Sequence, residues 1–230
     1  MKLLIFDIDG TLTHLDGATR RAFDAAYVKV FGMHAAVDRL QLHGRTDPII
    51  FRELHELSGL SGTPEDNFAR FREVYLEELP ASIAATPKAK VLPGVIDLLE
   101  ALKVRENTAA LALGTGNMEA GARLKIGFFG LNSYFPVGGF GDVHHRRLDI
   151  LHDALRNASA FYHRDFAPED TWVIGDTIHD IEGGKLAGLM TMGVATGGAF
   201  TAEDLRVSNA DVVFNDLSDT AAVLSAFGLD

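Results

Sequence analysis

The chain is written in two hydrophobic rhythms. Leu3-Leu4-Ile5-Phe6 is an unbroken apolar run closed by Asp7, which predicts a strand buried on both faces. Phe23, Ala26, Tyr27, Val30 and Phe31 then recur at spacings of three and four, a helical stripe stopped by Gly32. Ile50, Phe51, Leu54 and Leu57 form a second stripe, with Asp47 as its expected N-cap and Pro48 in the first turn. After the turn Ser61-Gly62-Thr63-Pro64, a third stripe carries Phe68, Phe71, Val74, Tyr75 and Leu79. Residues 15 to 90 thus read as helical, with no strand. The stretch from Pro80 to Pro93, rich in Ala and holding three prolines, is expected to be a hinge.

From Pro93 the rhythm changes. A helix with Val95, Leu98, Leu99 and Leu102 precedes a buried strand, Ala109 to Leu113, that ends in Gly114-Thr115-Gly116-Asn117. A helix with Ala122, Ile126 and Phe129, a short strand at Phe135-Pro136-Val137, and a helix from Arg147 to Ala160 follow. Trp172-Val173-Ile174 is a strand ending in Gly175-Asp176, then come a helix from Ile181 to Ala187 and strands at Met190–Val194 and 212–214. Strands alternating with helices predict βαβ units, hence an α/β fold: a doubly wound parallel sheet split after its first strand by a smaller all-helical insert.

Composition narrows the function. Of 230 residues, 47% are hydrophobic and 23% charged, ordinary for a globular protein. The absence of cysteine excludes disulfides, thiolate metal sites and cysteine nucleophiles. A net charge of −11 argues against a nucleic-acid partner and means that an anionic substrate needs local positive charge. The N-terminus reaches Asp7 too soon for a signal peptide, and no apolar run approaches a membrane span. A cytoplasmic protein without membrane attachment is the expectation.

In open parallel sheets, ligands bind at the carboxyl ends of the strands. Three such ends carry chemistry here: Asp7 with Asp9, Thr115-Gly116-Asn117, and Asp176 with Asp180. If those strands are neighbours, the carboxylates converge with a hydroxyl, a hard oxygen set suited to Mg²⁺. Thr115 and Gly116 at a helix start offer a hydroxyl and backbone N–H groups to a phosphate. Rival motifs fail. An EF-hand loop opening at Asp7 needs Gly and Glu where Leu12 and Ala18 stand. The dinucleotide fingerprints opening at Gly114 and Gly139 end in Glu119 and His144, and Gly184-Lys185 lacks the P-loop hydroxyl. No G-x-S-x-G elbow exists.

Asp7-Ile8-Asp9-Gly10-Thr11, Thr115 after a strand, a basic residue opening a later helix, and Gly175-Asp176-Thr177-x-x-Asp180 resemble the four motifs of the haloacid dehalogenase-like hydrolase superfamily. Gly44-Arg45-Thr46-Asp47 and Leu92-Pro93-Gly94-Val95 are similar to its phosphoglycolate phosphatase-like branch. The helical insert looks like the C1 type of cap. On that resemblance, residues 1–14 and 92–230 form the catalytic core and 15–91 the cap.

The resemblance implies a Mg²⁺-dependent phosphatase acting on a small phosphorylated metabolite through an aspartyl phosphate. Asp7 is the implied nucleophile, and Asp9 the acid and base, its carbonyl also facing the metal. Asp176 is an implied metal ligand, and Asp180 a ligand or its anchor. Thr115, Gly116 and Asn117 are assigned to the phosphoryl oxygens. The third motif usually has Lys. Arg147 is its best match here, with Lys125, one helix earlier, as the competing phosphate-binding cation. Arg45 and His14 are candidates for contacting the substrate. Asp9 argues against a dehalogenase, because those members lack the second carboxylate. A sugar phosphomutase and a non-catalytic binding protein are the alternatives. His144 and His145 are expected to face solvent, Thr177 to cap its helix, and Trp172 to be core.

Overall fold

A computed structural model describes residues 1–40 and 42–230. Six parallel strands form the main sheet: β1 (Lys2–Phe6), β4 (Ala109–Gly114), β5 (Val137–Gly139), β6 (Thr171–Gly175), β7 (Met190–Val194) and β8 (Val212–Phe214). Their spatial order is β5-β4-β1-β6-β7-β8. β1 lies between β4 and β6, with Phe6 level with both Leu113 and Ile174. The chain builds outward from β1 through β4 to β5, then returns to β6 on the other side. The direction reverses beside β1, the switch point at which an open α/β sheet forms its crevice.

Both faces of β1 are covered, which accounts for its unbroken apolar run. Leu4 and Phe6 join Leu111, Leu113, Trp172 and Ile174 beneath α4 (Val95–Lys103) and α5 (Glu119–Phe128). Leu3 and Ile5 join Ala110, Ala112 and Val173 against Leu151, Ala154 and Ala158 of α6 (Arg147–Phe161). α7 (Ile178–Leu186) links β6 to β7. The sequence pattern left α8 (Ala202–Val207) and α9 (Thr220–Phe227) unassigned, although α9 buries Val223, Leu224 and Phe227. Among the described residues, no helix is long and apolar enough to cross a membrane.

Between β1 and α4 stand α1 (Ala18–Phe31), α2 (Asp47–Ser58) and α3 (Pro64–Ala84). They share a separate apolar centre in which Phe23, Tyr27, Phe51, Phe71 and Tyr75 pack ring against ring. Two expectations change here. Pro80 is not the start of a hinge but an exposed residue inside α3, flanked by the buried Leu79 and Ile83. Proline costs a helix one hydrogen bond, and burial of both neighbours outweighs that loss. The helical stretch also ends in a strand. β3 (Lys90–Val91) pairs antiparallel with β2 (Thr13–His14), Thr13 facing Val91 and His14 facing Lys90, so the two linkers of the insert run side by side. Neither two-residue strand has an apolar alternation to betray it. The expected strand at Phe135 begins only at Val137.

The third correction concerns Asp47. Thr46 holds the N-cap position of α2, and Asp47 is the first helical residue. Its carboxylate leaves its own helix and accepts from the Met118 N–H, 2.9 Å away at the start of α5. The Asp47 N–H donates to the Gly116 carbonyl at 3.1 Å. Gly116 permits this docking, since a Cβ there would lie 2.3 Å from the Arg45 carbonyl oxygen.

Burial pushes the Asp47 carboxyl up to about 6, against the opposing pull of Lys125 and the Met118 N–H. The folded pKa thus stands above the usual 3.8, so folding favours the protonated form. That contribution is complete below pH 3.8 and is lost as pH rises through about 6, on the order of 3 kcal/mol for a shift of this size. Asp47→Asn keeps the acceptor for Met118 and removes the titration. Urea midpoints measured from pH 4.5 to 7.5 are expected to fall more steeply for the wild type than for Asp47→Asn. Parallel slopes would contradict this account of Asp47.

Candidate active site

The crevice beside β1 gathers the acidic strand ends. Asp7 follows the last residue of β1, and its N–H donates to the Ile174 carbonyl at 2.9 Å, which ties its backbone to β6. Asp176 follows β6, and Asp180 sits in the first turn of α7. Asp7, Asp176 and Asp180 are buried, and each offers an oxygen within 4.8 Å of the others. Gly10 closes the turn above them with φ of +89°, and a Cβ there would meet Asp176 at 2.4 Å. Only glycine joins that backbone to so close a carboxylate.

One cation stands in this trio. Arg147 opens α6 and is 6% exposed. Its Nη1 lies 3.6 Å from Asp7 Oδ1 and donates to the Gly114 carbonyl at 2.9 Å, while its Nε is 3.1 Å from Asp180 Oδ1. Burial disfavours the guanidinium charge, yet Asp180, Asp7 and Asp176 outweigh it and hold the proton more firmly than usual. Burial, with repulsion from Asp180 and Asp9, drives the Asp7 carboxyl up to about 7 despite Arg147. Burial and the charges of Asp7 and Asp180 push Asp176 well up.

These groups fit a bound cation. Three ionised carboxylates against one guanidinium leave two negative charges, the charge balance of one divalent ion. Thr11 donates to Asp176 Oδ1 at 3.3 Å, but Asp176 Oδ2 is buried without a hydrogen-bond donor among the described residues. Asp180 divides its carboxylate. Oδ2 accepts from the Thr177 hydroxyl at 2.7 Å and the Thr177 N–H at 3.1 Å, while Oδ1 faces Arg147. Thr177 therefore caps α7, as expected. An all-oxygen set of this kind suits Mg²⁺.

Asp9 lies apart from the trio. Its Oδ2 accepts from Lys125 Nζ at 2.6 Å and from Asn117 Nδ2 at 2.8 Å. Lys125 also donates to Asn117 Oδ1 at 2.5 Å, and Asn117 Nδ2 reaches the Thr115 hydroxyl oxygen at 2.7 Å. Arg147 and Lys125, which the sequence made rivals for one position, therefore both line the crevice, Arg147 beside Asp7 and Lys125 beside Asp9. The sequence favoured Arg147 by its place at a helix start but gave no sign that both are used, because each contact crosses from one helix to a distant strand end.

A cleft of about 200 Å³ opens onto Asp7, Asp9, Thr115, Gly116, Asn117, Lys125 and Arg147. Its other wall comes from the helical insert and its linkers, including His14 and Arg45. Arg45 is held by Glu53, and the half-exposed His14 lies 3.8 Å from Asp16. The pattern missed Arg20, which lines the cleft from α1, and Asp47, hidden behind its reading as a cap. His144 is paired with Asp153 at 2.6 Å outside the cleft.

Comparison with known proteins agrees with this architecture. The chain is 26% identical over 229 residues to a Dickeya dadantii protein named "Probable phosphatase IndB", covering 97% of this chain and 94% of that one. It is 22% identical over 230 residues to the pyrophosphatase PpaX of Oceanobacillus iheyensis, covering 97% of each. The crystal structure of a hydrolase from Pseudomonas syringae shares the fold, with a TM-score of 0.72, 21% identity, and coverage of 98% of this chain and 99% of that one. The family model for haloacid dehalogenase-like hydrolases matches residues 1–188. With four-fifths of its length inside that match, the chain belongs to the haloacid dehalogenase-like hydrolases.

Proposed function

We propose that this chain is a Mg²⁺-dependent phosphatase that hydrolyses a small phosphomonoester through an aspartyl phosphate on Asp7. The observation that carries the reading is the meeting of Asp7, Asp176 and Asp180 within 4.8 Å, with Asp7 itself lining a cleft that Thr115, Arg147 and Lys125 also line. The same cleft thus combines a buried carboxylate nucleophile with two cations and a hydroxyl, the groups that phosphoryl transfer calls on. The phosphatase and pyrophosphatase names of the two relatives point the same way.

Asp7, Asp176 and Asp180 would hold the cation, with the Asp9 carbonyl as a further oxygen. When bound, Mg²⁺ supplies positive charge that neutralises the carboxylates and the phosphoryl oxygens. Asp7 Oδ attacks phosphorus as the bond to the leaving oxygen breaks, which splits one displacement into two. Asp9 gives its proton to that leaving oxygen. In the second step Asp9 takes a proton from water as the water oxygen attacks phosphorus and the Asp7–phosphorus bond breaks. Arg147 holds the attacking carboxylate from behind, and Thr115 donates to a phosphoryl oxygen. The insert covers the cleft and contributes Arg45 to the substrate's far end, with His14 on the linker β2 beside it, which makes this wall the seat of specificity.

Phosphate release from a panel of monoesters, with phosphoglycolate and pyrophosphate included, tests the reading. Release from at least one, at a rate set by added Mg²⁺, is expected; a chain inert on all of them is not this enzyme. A phosphomutase would instead pass the phosphoryl group to a sugar phosphate without releasing phosphate.

Asp7→Asn is expected to abolish turnover while leaving the thermal midpoint unchanged or raised, because it removes one of three crowded buried carboxylates. Retained turnover in that variant rejects Asp7 as nucleophile. Chelation by EDTA is expected to stop phosphate release, and Mg²⁺ to restore it. Mg²⁺ is also expected to raise the wild-type thermal midpoint but not that of Asp176→Asn, and an equal rise in both would remove Asp176 from the cation site.

A further inference from the structure

We infer that Lys125 is a positioning residue for the proton-transferring carboxylate of Asp9 rather than a ligand of the phosphoryl group. The inference rests on the proposed role of Asp9. Lys125 is 1% exposed, whereas the Asp9 side chain is 42% exposed, so the ammonium stands behind the carboxylate and not in front of it. Lys125 and Asn117 both donate to the same oxygen, Asp9 Oδ2, at 2.6 and 2.8 Å. A second bond from Lys125 to Asn117 Oδ1, 2.5 Å, closes a three-membered ring of hydrogen bonds. One carboxylate oxygen is thereby pinned, and Oδ1 is left to exchange a proton with the leaving group and then with water.

The surroundings of Lys125 favour this assignment. Asp47, arriving from the insert, carries a carboxylate that feels the Lys125 charge, and the buried Tyr75 hydroxyl feels Asp47 and Asp9. A buried ammonium paired with the Asp9 carboxylate, and near enough to Asp47 to interact with its charge, is already compensated, in contrast to the electropositive face that phosphate binding requires. Arg147 stands on the nucleophile's side of the crevice, 3.6 Å from Asp7. The two cations therefore divide the reaction: Arg147 serves phosphorus–oxygen bond formation, and Lys125 serves proton delivery to the bond that breaks.

A proton donor matters most when the leaving group is a poor one. 4-Nitrophenyl phosphate leaves without a proton, whereas an alkyl monoester such as glycerol phosphate needs one. Lys125→Gln and Lys125→Met are expected to lose about 10²-fold in kcat/KM on the alkyl ester and less than about 5-fold on the aryl ester, because kcat/KM reads the first transfer and not the hydrolysis step that the two esters share. Lys125→Arg, which keeps the charge, is expected to recover part of the loss, and Asp9→Asn to show the same selectivity. The ratio of the two rates within one preparation cancels any misfolded fraction, so reduced folding yield does not obscure the result. Equal losses on both esters, or a raised KM together with weaker inhibition by inorganic phosphate, would make Lys125 a phosphate ligand and overturn the inference. A wild-type chain inert on both esters would fail the phosphatase reading itself. Equal losses of kcat/KM on the two esters in Asp9→Asn would remove Asp9 as the proton donor to the leaving group, and the role of Lys125 with it.

Discussion

Three buried carboxylates converging on one guanidinium is the constraint around which the molecule is arranged. Taking an ionised carboxylate out of water costs several kcal/mol unless it is paired, and these three also repel one another. Their positions explain features that look unrelated in the chain. The strand order reverses beside β1 so that β6 can bring Asp176 to Asp7. Gly10 is bare because Asp176 occupies the space of a side chain. Thr177 takes up one oxygen of Asp180, which leaves the other for the crevice. Burial first, and the crowding of like charges after it, raises the carboxyls of Asp7 and Asp176.

A site this short of positive charge needs its cations separated, and Arg147 and Lys125 suit different places. The guanidinium is a flat fork that meets the Gly114 carbonyl and Asp7 through Nη1 and Asp180 through Nε. The ammonium is compact and donates in three directions, which suits the tight corner between Asp9 and Asn117. Exchanging their positions would put a fork where one oxygen must be pinned and a point charge where several acceptors must be spanned.

Much of this was legible because burial on both faces leaves a one-dimensional trace. Leu3-Leu4-Ile5-Phe6 could only be an interior strand, and the acidic groups at three strand ends implied a shared crevice once those strands were neighbours. The misreadings share a physical cause: each depends on contacts between segments far apart in the chain. Asp47 precedes a helix and resembles an N-cap, yet its partner is Met118 on another helix. Pro80 resembles a breakpoint, yet the apolar partners of Leu79 and Ile83 carry the helix past it. β2 and β3 are too short to have a period. Arg147 and Lys125 were set as alternatives because a motif has room for one cation, while the folded crevice has room for two.

The insert docks onto main-chain groups of the sheet's crevice, through its own backbone at Gly116 and through the Asp47 carboxylate at Met118. Arg45 and Thr46 press against Gly116, Asp47 bonds Gly116 and Met118, and Asn117 lies between those two contacts with its side chain on Asp9 and Thr115. The residues carrying the insert's wall of the cleft and the residue that donates to Asp9 Oδ2 are therefore neighbours on one docking surface. A shift of the insert relative to the sheet moves Gly116 and Met118 from both sides of Asn117, and so disturbs the donor that pins Asp9 Oδ2. Side chains at the far end of the cleft can vary without touching that backbone contact. His14, Arg20 and Arg45 can thus change the far wall of the cleft, while Asp9 stays held through the Asp47 main-chain and carboxylate bonds, which no substitution of those three side chains removes.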